Sequence, residues 1–383
     1  MKNHKNTIKL YFFLFIIIII YENYFKEKNQ LKDIIKKANE YISICNQWKL
    51  INGIQKSKSK IPKITALIPC FNCSNTIKSA IRSIQNQKMS DIEILIVDDY
   101  SKDNSLEILR DIEKEDKRIQ IIENKKNMGT LYSRSIGALN SKGKFIMSLD
   151  NDDLFIDKDI FNICHKECEN NNIDIVEFIG IKSKNQTLKS NPFPEIDEYI
   201  KFKKRNKIIK SPILSSFIYV KKNNEIISLI DETIWGKCIK TEIYKKALNN
   251  IGEKVYSQYI ITNEDRIVNF VLFRVANSFK FIKKFGILHY IDTSIVKNLW
   301  INNTSFNELF NIEHIYNFTK NTFEVNICVF ELFKYESNIK LRKNDIKIKQ
   351  LFNRIINNLL KDKHLTKKNK KKLINFIIKN KFF

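Results

Sequence analysis

Several features that define common protein classes are missing from this sequence. The loop after the first predicted strand contains no glycine, which disfavours the nucleotidyltransferases, since these favour a glycine-rich loop with a basic residue there. No recognisable nucleic-acid-binding module is present, so the formal net charge of +25 does not indicate a nucleic-acid partner. No apolar run reaches the roughly 20 residues that a membrane-spanning helix prefers, so multiple membrane spans are absent.

A shorter apolar run, from Leu10 to Tyr21, lies near the N-terminus. It follows a lysine-containing stretch without acidic residues, and no Ala-x-Ala-like cleavage site comes after it. We interpret residues 10–25 as a signal-anchor in a membrane, residues 1–9 as a cytoplasmic tail and residues 26–60 as a stem. A cleaved signal peptide is the alternative. Either interpretation predicts a single-pass or secreted protein with its main domain in the lumen of the secretory pathway, in the Golgi or endoplasmic reticulum.

The sequence contains seven cysteines, an odd number, so at least one cannot pair within the chain. The pairs Cys70 and Cys73, and Cys164 and Cys168, have spacings that also occur in zinc sites. However, the second pair falls on an apolar helical face, and the first pair flanks the end of a predicted strand. We therefore predict buried thiols rather than zinc ligands.

Apolar runs and amphipathic patterns alternate along the next part of the chain. Four apolar runs predict buried strands, at residues 64–68, 92–97, 119–122 and 144–149. Between them, apolar residues recur at helical spacing. This alternation predicts right-handed βαβ units with a parallel sheet, and hence an α/β fold.

A polar cluster follows each of the four predicted strands. Ligands bind outside the carboxyl ends of the strands in an open parallel sheet, so these clusters are candidate binding loops. The last cluster places Asp150, Asp152 and Asp153 on one short loop. Like charges this close are costly unless a cation or hydrogen-bond donors lie among them, and carboxylate oxygens suit Mg²⁺ or Mn²⁺. On its own residues, this loop could equally be a solvated acidic turn.

Together the clusters form an ordered set of motifs: Pro69-Cys70-Phe71-Asn72, Val97-Asp98-Asp99-Tyr100-Ser101, Asn127-Met128-Gly129 followed by Arg134, and Asp150-Asn151-Asp152-Asp153. From about Lys63 to Gly180 this set resembles the nucleotide-sugar-binding half of family 2 glycosyltransferases. The resemblance implies the GT-A fold, a Rossmann-like nucleotide-binding sheet with helices on both faces, and inverting transfer of a sugar. The chain lacks the Gln-x-x-Arg-Trp motif of processive synthases, so it resembles the non-processive members.

The resemblance also implies roles for individual residues. It assigns Asp99 to the nucleobase, Asp150 to the ribose, and Asp150, Asp152 and Asp153 to a Mn²⁺ or Mg²⁺ ion. Arg134 is placed to face phosphate or to orient the acidic loop, with a salt bridge inside that loop as the alternative. The whole predicted nucleotide-sugar-binding set is Pro69, Phe71, Asn72, Asp98, Asp99, Asn127, Gly129, Arg134, Asp150 and Asn151.

A fainter part of the resemblance covers the catalytic base. Asp265 matches the base position of the family, and Glu264 is the alternative; both could instead serve only to cap the helix that follows. His289 could ligate a metal or contact the acceptor, although a buried structural histidine is favoured. The implied reaction moves a hexosyl or N-acetylhexosaminyl group from a UDP-sugar to a glycan, glycoprotein or glycolipid. An inactive GT-A-like module that binds sugar or protein is the alternative.

These observations predict the organisation of the chain beyond residue 60. Residues 61–300 form the glycosyltransferase domain, with a nucleotide-sugar-binding half at 61–180 and an acceptor-side half at 181–300. Residues 301–383 form a basic, helical C-terminal region. Its apolar stripe, Leu351, Phe352, Ile355, Ile356, Leu359 and Leu360, is predicted to pack on the catalytic domain rather than lie on a membrane surface.

Overall fold

The computed structural model describes residues 29, 32–51, 53–54, 61–183, 209–210, 219–222, 225–228, 233–261, 264–290, 310, 312–317 and 346–380. The predicted signal-anchor at residues 10–25 lies outside these residues, as does much of the predicted acceptor-side half. Within the described ranges, no helix is both long enough and apolar enough to cross a membrane.

Strands and helices alternate along the chain as the sequence predicts. The strands are β1 (Ile64–Cys70), β2 (Ile92–Asp98), β3 (Ile119–Glu123), β4 (Phe145–Ser148), β5 (Leu154–Phe155), β6 (Ile175–Ser183), β7 (Ile209–Lys210), β8 (Tyr219–Lys222), β9 (Glu225–Ser228), β10 (Lys237–Lys240) and β11 (Ser278–Tyr290). The helices are α1 (32–46), α2 (Ile77–Gln85), α3 (Ser105–Glu115), α4 (Thr130–Asn140), α5 (Ile160–Asn171), α6 (Thr241–Ile251), α7 (Glu253–Tyr256), α8 (Asp265–Val275), α9 (312–317), α10 (Ile346–Lys361) and α11 (Lys367–Asn380).

Nine of the described strands form one sheet, in the order β3-β2-β1-β4-β10-β6-β11-β5 with β7 beside β11. The strands β1 to β4 are parallel, which confirms the predicted βαβ units. The other half of the sheet is mixed, because β10 runs antiparallel to both of its neighbours, β4 and β6. The apolar pattern of a buried strand does not encode its direction, so the sequence could not reveal this reversal.

Helices cover both faces of the sheet, as the predicted GT-A fold requires. Along β1, Ile64, Ala66 and Ile68 face one apolar cluster with α2, α3 and α5, whereas Leu67 faces a second cluster with α4, α6 and α8. This alternation follows from the period of two residues in a strand. Because both faces of the sheet are buried, these strands are continuous apolar runs in the sequence.

The cysteines divide into two kinds. Cys164 and Cys168 are buried free thiols, as predicted. The prediction is wrong for Cys70 and Cys73, which form a disulfide across the loop after β1. Their spacing of three residues is compatible with a thiol pair, a zinc site or a disulfide. Only the backbone path of this loop, which brings their Cα atoms to 5.9 Å, decides among these.

The C-terminal helix α10 packs on the catalytic domain. Leu351, Phe352 and Ile355 are buried in the same apolar cluster as residues of α6 and α8. This confirms the packing that the apolar stripe predicts. At the other end of the chain, α1 packs against α2, where the Tyr41 hydroxyl donates to the Ser83 carbonyl (3.0 Å). Part of the predicted stem is therefore attached to the domain.

Candidate active site

The four polar clusters meet at one edge of the sheet. Residue pairing along β1 and β2 ends with Cys70 opposite Asp98, so the loops after these strands start side by side. The acidic loop follows β4, which pairs with the other side of β1. The tertiary structure thus assembles the clusters around the end of β1.

Hydrogen bonds join the loops after β1 and β2. The Asn72 N–H donates to Ser101 Oγ (3.0 Å), and the Lys102 N–H donates to Asn72 Oδ1 (2.8 Å). Asn72 has φ of +49°, a left-handed conformation that asparagine tolerates. The Phe71 side chain is 43% exposed, which is unusual for a large apolar residue beside a buried strand. It presents an aromatic face to solvent at the rim of the site.

Asp98 and Asp99 are both buried but have different environments. The Asp99 carboxylate accepts hydrogen bonds from the N–H groups of Met128 (2.8 Å) and Gly129 (2.7 Å). It therefore anchors the Asn-x-Gly loop, a function that the sequence did not reveal. Asp98 Oδ2 accepts from the Ser101 N–H (3.1 Å), whereas its Oδ1 is buried and has no partner among the described residues. Asp98 thus has one oxygen without a described partner, whereas both oxygens of Asp99 accept hydrogen bonds from the Asn-x-Gly loop.

Gly129 allows the Asn-x-Gly loop to turn into α4. Its φ is +86°, and a Cβ atom there would lie 2.8 Å from the backbone oxygen of Ile260. That same oxygen accepts the Leu131 N–H (3.1 Å). The loop is therefore pressed against a second backbone segment, and no side chain fits between them.

We expect Gly129→Ala to lower the free energy of unfolding by about 2–3 kcal/mol, because backbone strain and a backbone clash combine. Gly252→Ala is the matched control, since Gly252 has φ of +82° but nothing lies within 4 Å of the place that a Cβ atom would take. It should cost only the conformational strain, about 1 kcal/mol. Urea unfolding of both variants measures the difference. Equal destabilisation by the two substitutions would contradict the close-approach argument.

Arg134 connects the acidic loop to the acidic pair at the start of α8. Its side chain is only 7% exposed, and Nη1 donates to Glu264 Oε1 at 2.7 Å. The same nitrogen donates to Asp265 Oδ1, and Nη2 donates to Asp150 Oδ1. One buried guanidinium therefore joins Asp150 of the acidic loop to the adjacent pair Glu264 and Asp265, which lies more than 110 positions further along the chain. The ion pair with Asp150 is compatible with both predicted roles, orientation of the acidic loop and a structural salt bridge. The sequence did not predict the contact with Glu264 and Asp265.

Burial and the neighbouring negative charges raise the pKa of both acids in the pair. Burial and the charge of Asp265 raise the pKa of Glu264 to about 8, although Arg134 opposes this shift. Burial also raises the pKa of Asp265, against the opposing effect of Arg134. Asp265 Oδ2 further accepts the Ile234 N–H at 2.9 Å. The side chain of Asp265 is 17% exposed and that of Glu264 only 8%, so Asp265 is the more accessible of the two.

The acidic loop is attached to the loop after β1 through Asn151. Its side-chain amide donates to the Pro69 carbonyl (3.3 Å), and the Thr76 hydroxyl donates to Asn151 Oδ1 (3.4 Å). Asn151 is therefore a positioning residue in this structure. Its contact with Pro69 holds the acidic loop beside the end of β1.

His289 lies beside the acidic loop at the end of β11. Its Nδ1 is 2.9 Å from Asp153 Oδ2, and the Tyr290 N–H donates to Asp153 Oδ1 (2.9 Å). Burial lowers the pKa of His289, but the hydrogen bond and charge of Asp153 outweigh it and raise the pKa to about 9. The Trp235 ring stacks on the imidazole with 5.0 Å between ring centres. The favoured sequence interpretation treats His289 as structural, whereas the structure brings it to the acidic cluster.

Three side chains of this cluster could share a cation. Ligand atoms of Asp150, Asp153 and His289 all lie within 4.8 Å of one another. Asp152 is adjacent, and burial together with the charges of Asp153 and Asp150 raises its pKa to about 7. Burial likewise raises the pKa of Asp153 to about 6, against the opposing effect of His289. These carboxylates are short of positive charge, and a divalent ion would supply it. The predicted metal set therefore gains His289.

Comparison with known proteins agrees with this geometry. Residues 65–224 match the model of glycosyl transferase family 2. The matched region belongs to this family. The chain is 26% identical to the uncharacterized glycosyltransferase EpsJ of Bacillus subtilis over 58% of its length and 59% of that protein. It is 42% identical to an uncharacterized glycosyltransferase of Rickettsia conorii over 32% of its length and 20% of that protein. The chain thus spans a fifth to three fifths of these relatives.

The family fold extends beyond the matched region. The crystal structure of S. aureus TarS residues 1–349 with UDP-GlcNAc aligns with a TM-score of 0.58 over 84% of this chain and 89% of that one. Sequence identity over the alignment is 13%, so the likeness concerns the fold. Together with the observed layers, it confirms the predicted GT-A architecture.

The predicted location in the Golgi or endoplasmic reticulum is wrong. The relatives named above are bacterial proteins, and bacteria have neither compartment. A lysine-flanked apolar run also occurs at bacterial N-termini, so this pattern does not indicate a eukaryotic compartment. The segment itself lies outside the described residues, and the described helices include no membrane span.

Proposed function

We propose that this protein transfers a sugar from a UDP-sugar to an acceptor hydroxyl, with inversion and with the help of a divalent metal ion. The observation that carries the proposal is the bridge made by Arg134. It joins Asp150, on the donor-binding side, to Asp265, the candidate base. The family match supports the reaction class. Complexes of the similarly folded TarS with UDP-GlcNAc and with UDP support the choice of nucleotide.

The donor nucleotide is proposed to bind across the loops after β1 and β2. The exposed face of Phe71 offers a surface on which a flat base can stack. The family resemblance implies that Asp99 contacts the nucleobase, but the carboxylate of that residue accepts hydrogen bonds from the Asn-x-Gly loop. We therefore propose Asp98 as the acceptor for the base N–H. Its Oδ1 has no hydrogen-bond partner among the described residues, so it can accept one from the base.

The acidic cluster fits a Mn²⁺ or Mg²⁺ ion. We propose that Asp150 and Asp153 hold it together with His289, since their ligand atoms lie within 4.8 Å of one another, and that the adjacent Asp152 completes the site. When bound, such an ion neutralises the charge that develops on a diphosphate leaving group.

Asp265 is proposed as the general base. Both of its oxygens have partners, yet each carboxylate oxygen has a second lone pair that can accept a proton. Glu264 is less suited, because its side chain is only 8% exposed, against 17% for Asp265. Direct action of one base on the acceptor hydroxyl implies in-line displacement, so an α-linked donor would give a β-linked product. A glycan, glycoprotein or glycolipid is the proposed acceptor class.

Incubation of the purified full chain with a panel of nucleotide sugars, Mn²⁺ and simple glycan acceptors tests the proposal. Release of UDP that depends on Asp265, together with a glycosylated product by mass spectrometry, is the expected result. An inactive sugar-binding module would bind the nucleotide sugar but release no UDP with any donor. That outcome would replace the enzyme proposal by the binding-module alternative.

Nucleotide affinity should depend on the metal and on Asp152. We expect the Kd for UDP, measured by calorimetry with Mn²⁺, to rise at least about tenfold in EDTA or in Asp152→Ala, which corresponds to about 1.4 kcal/mol. Asp159→Ala is the control, because Asp159 is an acid at the start of α5 that pairs with Lys88 (3.5 Å). Its affinity should equal that of the wild type. Unchanged UDP affinity in EDTA would exclude the metal site.

A further inference from the structure

Lys237 is a buried lysine next to the candidate base. It lies at the start of β10 with a relative exposure of 0%, which is rare for this residue type. Burial of an ammonium group is costly unless it is paired and hydrogen-bonded. One partner of its Nζ is the backbone carbonyl oxygen of Thr233. A second charge is close at hand, since Lys237 pairs directly with Glu177 of β6, and paired residues share a face of the sheet.

The Thr233 carbonyl belongs to the peptide group that contacts Asp265. The other end of this peptide group is the Ile234 N–H, which donates to Asp265 Oδ2 at 2.9 Å. A single peptide group therefore has an ammonium on its oxygen and a carboxylate on its N–H. Hydrogen bonds in such a chain polarise one another, so the cation strengthens the N–H as a donor.

We propose that Lys237 is a positioning residue that acts through the peptide between Thr233 and Ile234 to keep the Asp265 carboxylate ionised and correctly oriented. Its effect on catalysis rests on the proposed function, in which Asp265 is the base. The effect on the ionisation of Asp265 does not depend on the reaction.

The charges around Asp265 make this contribution necessary. Among the described residues, the titratable or charged groups that act on Asp265 include Arg134 from α4, Asp150 after β4, the adjacent Glu264, Tyr244 from α6 and Lys237 from β10. Burial and the carboxylate of Asp150 raise its pKa, whereas Arg134, the Ile234 N–H and Lys237 lower it. Arg134 is shared among three carboxylates, and Lys237 adds a second positive charge near Asp265.

Carboxyl-carbon NMR of ¹³C-aspartate-labelled protein measures the ionisation directly. The Asp265 signal is assigned by its loss in Asp265→Asn. In Lys237→Gln, which keeps a donor for the Thr233 carbonyl but has no charge, we expect this signal to titrate about one pH unit higher, a tenfold change in the equilibrium. Lys237→Arg should titrate like the wild type. Lys240→Met is the matched control, because Lys240 lies on the same strand but pairs with exposed Glu242 (2.7 Å).

The same variants separate this inference from the proposed function. A base must be ionised to act, so the acid limb of the kcat profile should move to higher pH by the same amount in Lys237→Gln, with KM for the donor unchanged. A shift in the NMR titration without any sugar transfer by the wild type would overturn the proposed function and leave the inference standing. Sugar transfer by the wild type with an unshifted Asp265 titration in Lys237→Gln would overturn the inference.

A further measurement requires no loss of charge at position 237. If Lys237→Gln does not fold, the coupling can be observed from the other end, since coupling between two sites is reciprocal. The ¹⁵Nζ resonance of Lys237, assigned by its loss in Lys237→Arg, should shift in Asp265→Asn, and that of Lys240 should not. An unchanged chemical shift of the Lys237 resonance in Asp265→Asn would contradict the proposal.

Discussion

Arg134→Met is expected to lower the free energy of unfolding by about 3–5 kcal/mol and to abolish sugar transfer. The substitution keeps much of the side-chain volume but removes the cation that three carboxylates share. Asp150, Glu264 and Asp265 would then be neighbouring acids in a largely buried site without their common partner. Removal of one partner from a buried ionic cluster is costly, because the remaining charges lose their compensation while they stay desolvated.

Urea unfolding at pH 7 measures the loss of stability, and calorimetry with UDP shows whether the variant still binds the donor nucleotide. Arg110→Met is the matched control, since Arg110 pairs with Glu113 (2.8 Å) at the surface, where both side chains are at least 32% exposed. Exposed ion pairs contribute less than about 1 kcal/mol. If both variants lose the same small amount of stability, Arg134 is not the centre of the acidic network.

Asp265→Asn is expected to reduce kcat by roughly 10²–10⁴-fold while the affinity for UDP stays close to that of the wild type. Asparagine has nearly the size of aspartate, and its side-chain oxygen can still accept the Ile234 N–H, although its amide nitrogen then replaces the oxygen that accepts from Arg134. What is lost is the basicity that removes the proton from the acceptor hydroxyl. The loss should appear in kcat and not in donor binding.

Glu264→Gln is the comparison variant for this experiment. Burial and the neighbouring Asp265 raise the pKa of Glu264, and its side chain is the less exposed of the two acids, so its amide analogue should keep most of the activity. Near wild-type turnover in a folded Asp265→Asn protein, combined with loss in Glu264→Gln, would transfer the role of base to Glu264. A lower melting temperature in Asp265→Asn, without any defect in the remaining folded protein, would support capping alone.

Local patterns in the sequence were sufficient to predict the first four strands, the helices between them and the edge of the sheet where the polar clusters meet. These predictions succeed because a buried parallel strand must be a continuous apolar run, and because right-handed βαβ units bring successive strand ends to one edge. The order of four motifs then indicates family 2, which the family match over residues 65–224 confirms.

Such local patterns do not reveal contacts between segments that are distant in the sequence. Arg134 and Glu264 are 130 positions apart, and Asp153 and His289 are 136 apart, so no local spacing connects them. Asp98 and Asp99 are adjacent and chemically identical, yet only the packing of the Asn-x-Gly loop decides which of them keeps an unpartnered oxygen. The segment Trp235-Gly236-Lys237 resembles a Trp-x-Lys segment of the family, but the sequence does not show that Lys237 contacts the peptide group beside Asp265.

The sequence by itself determined the α/β class, the membership of residues 65–224 in family 2 and the set of acids available for chemistry, because these depend on periodicity and on residue types along the chain. The tertiary structure alone decided which acids share Arg134, that His289 joins the acidic loop and that Lys237 reaches the peptide beside Asp265. The physical reason is that the ionisation of a group depends on burial and on the charges within a few ångströms. Both are set by chain segments that meet only when the sheet, with the reversed strand β10, has formed.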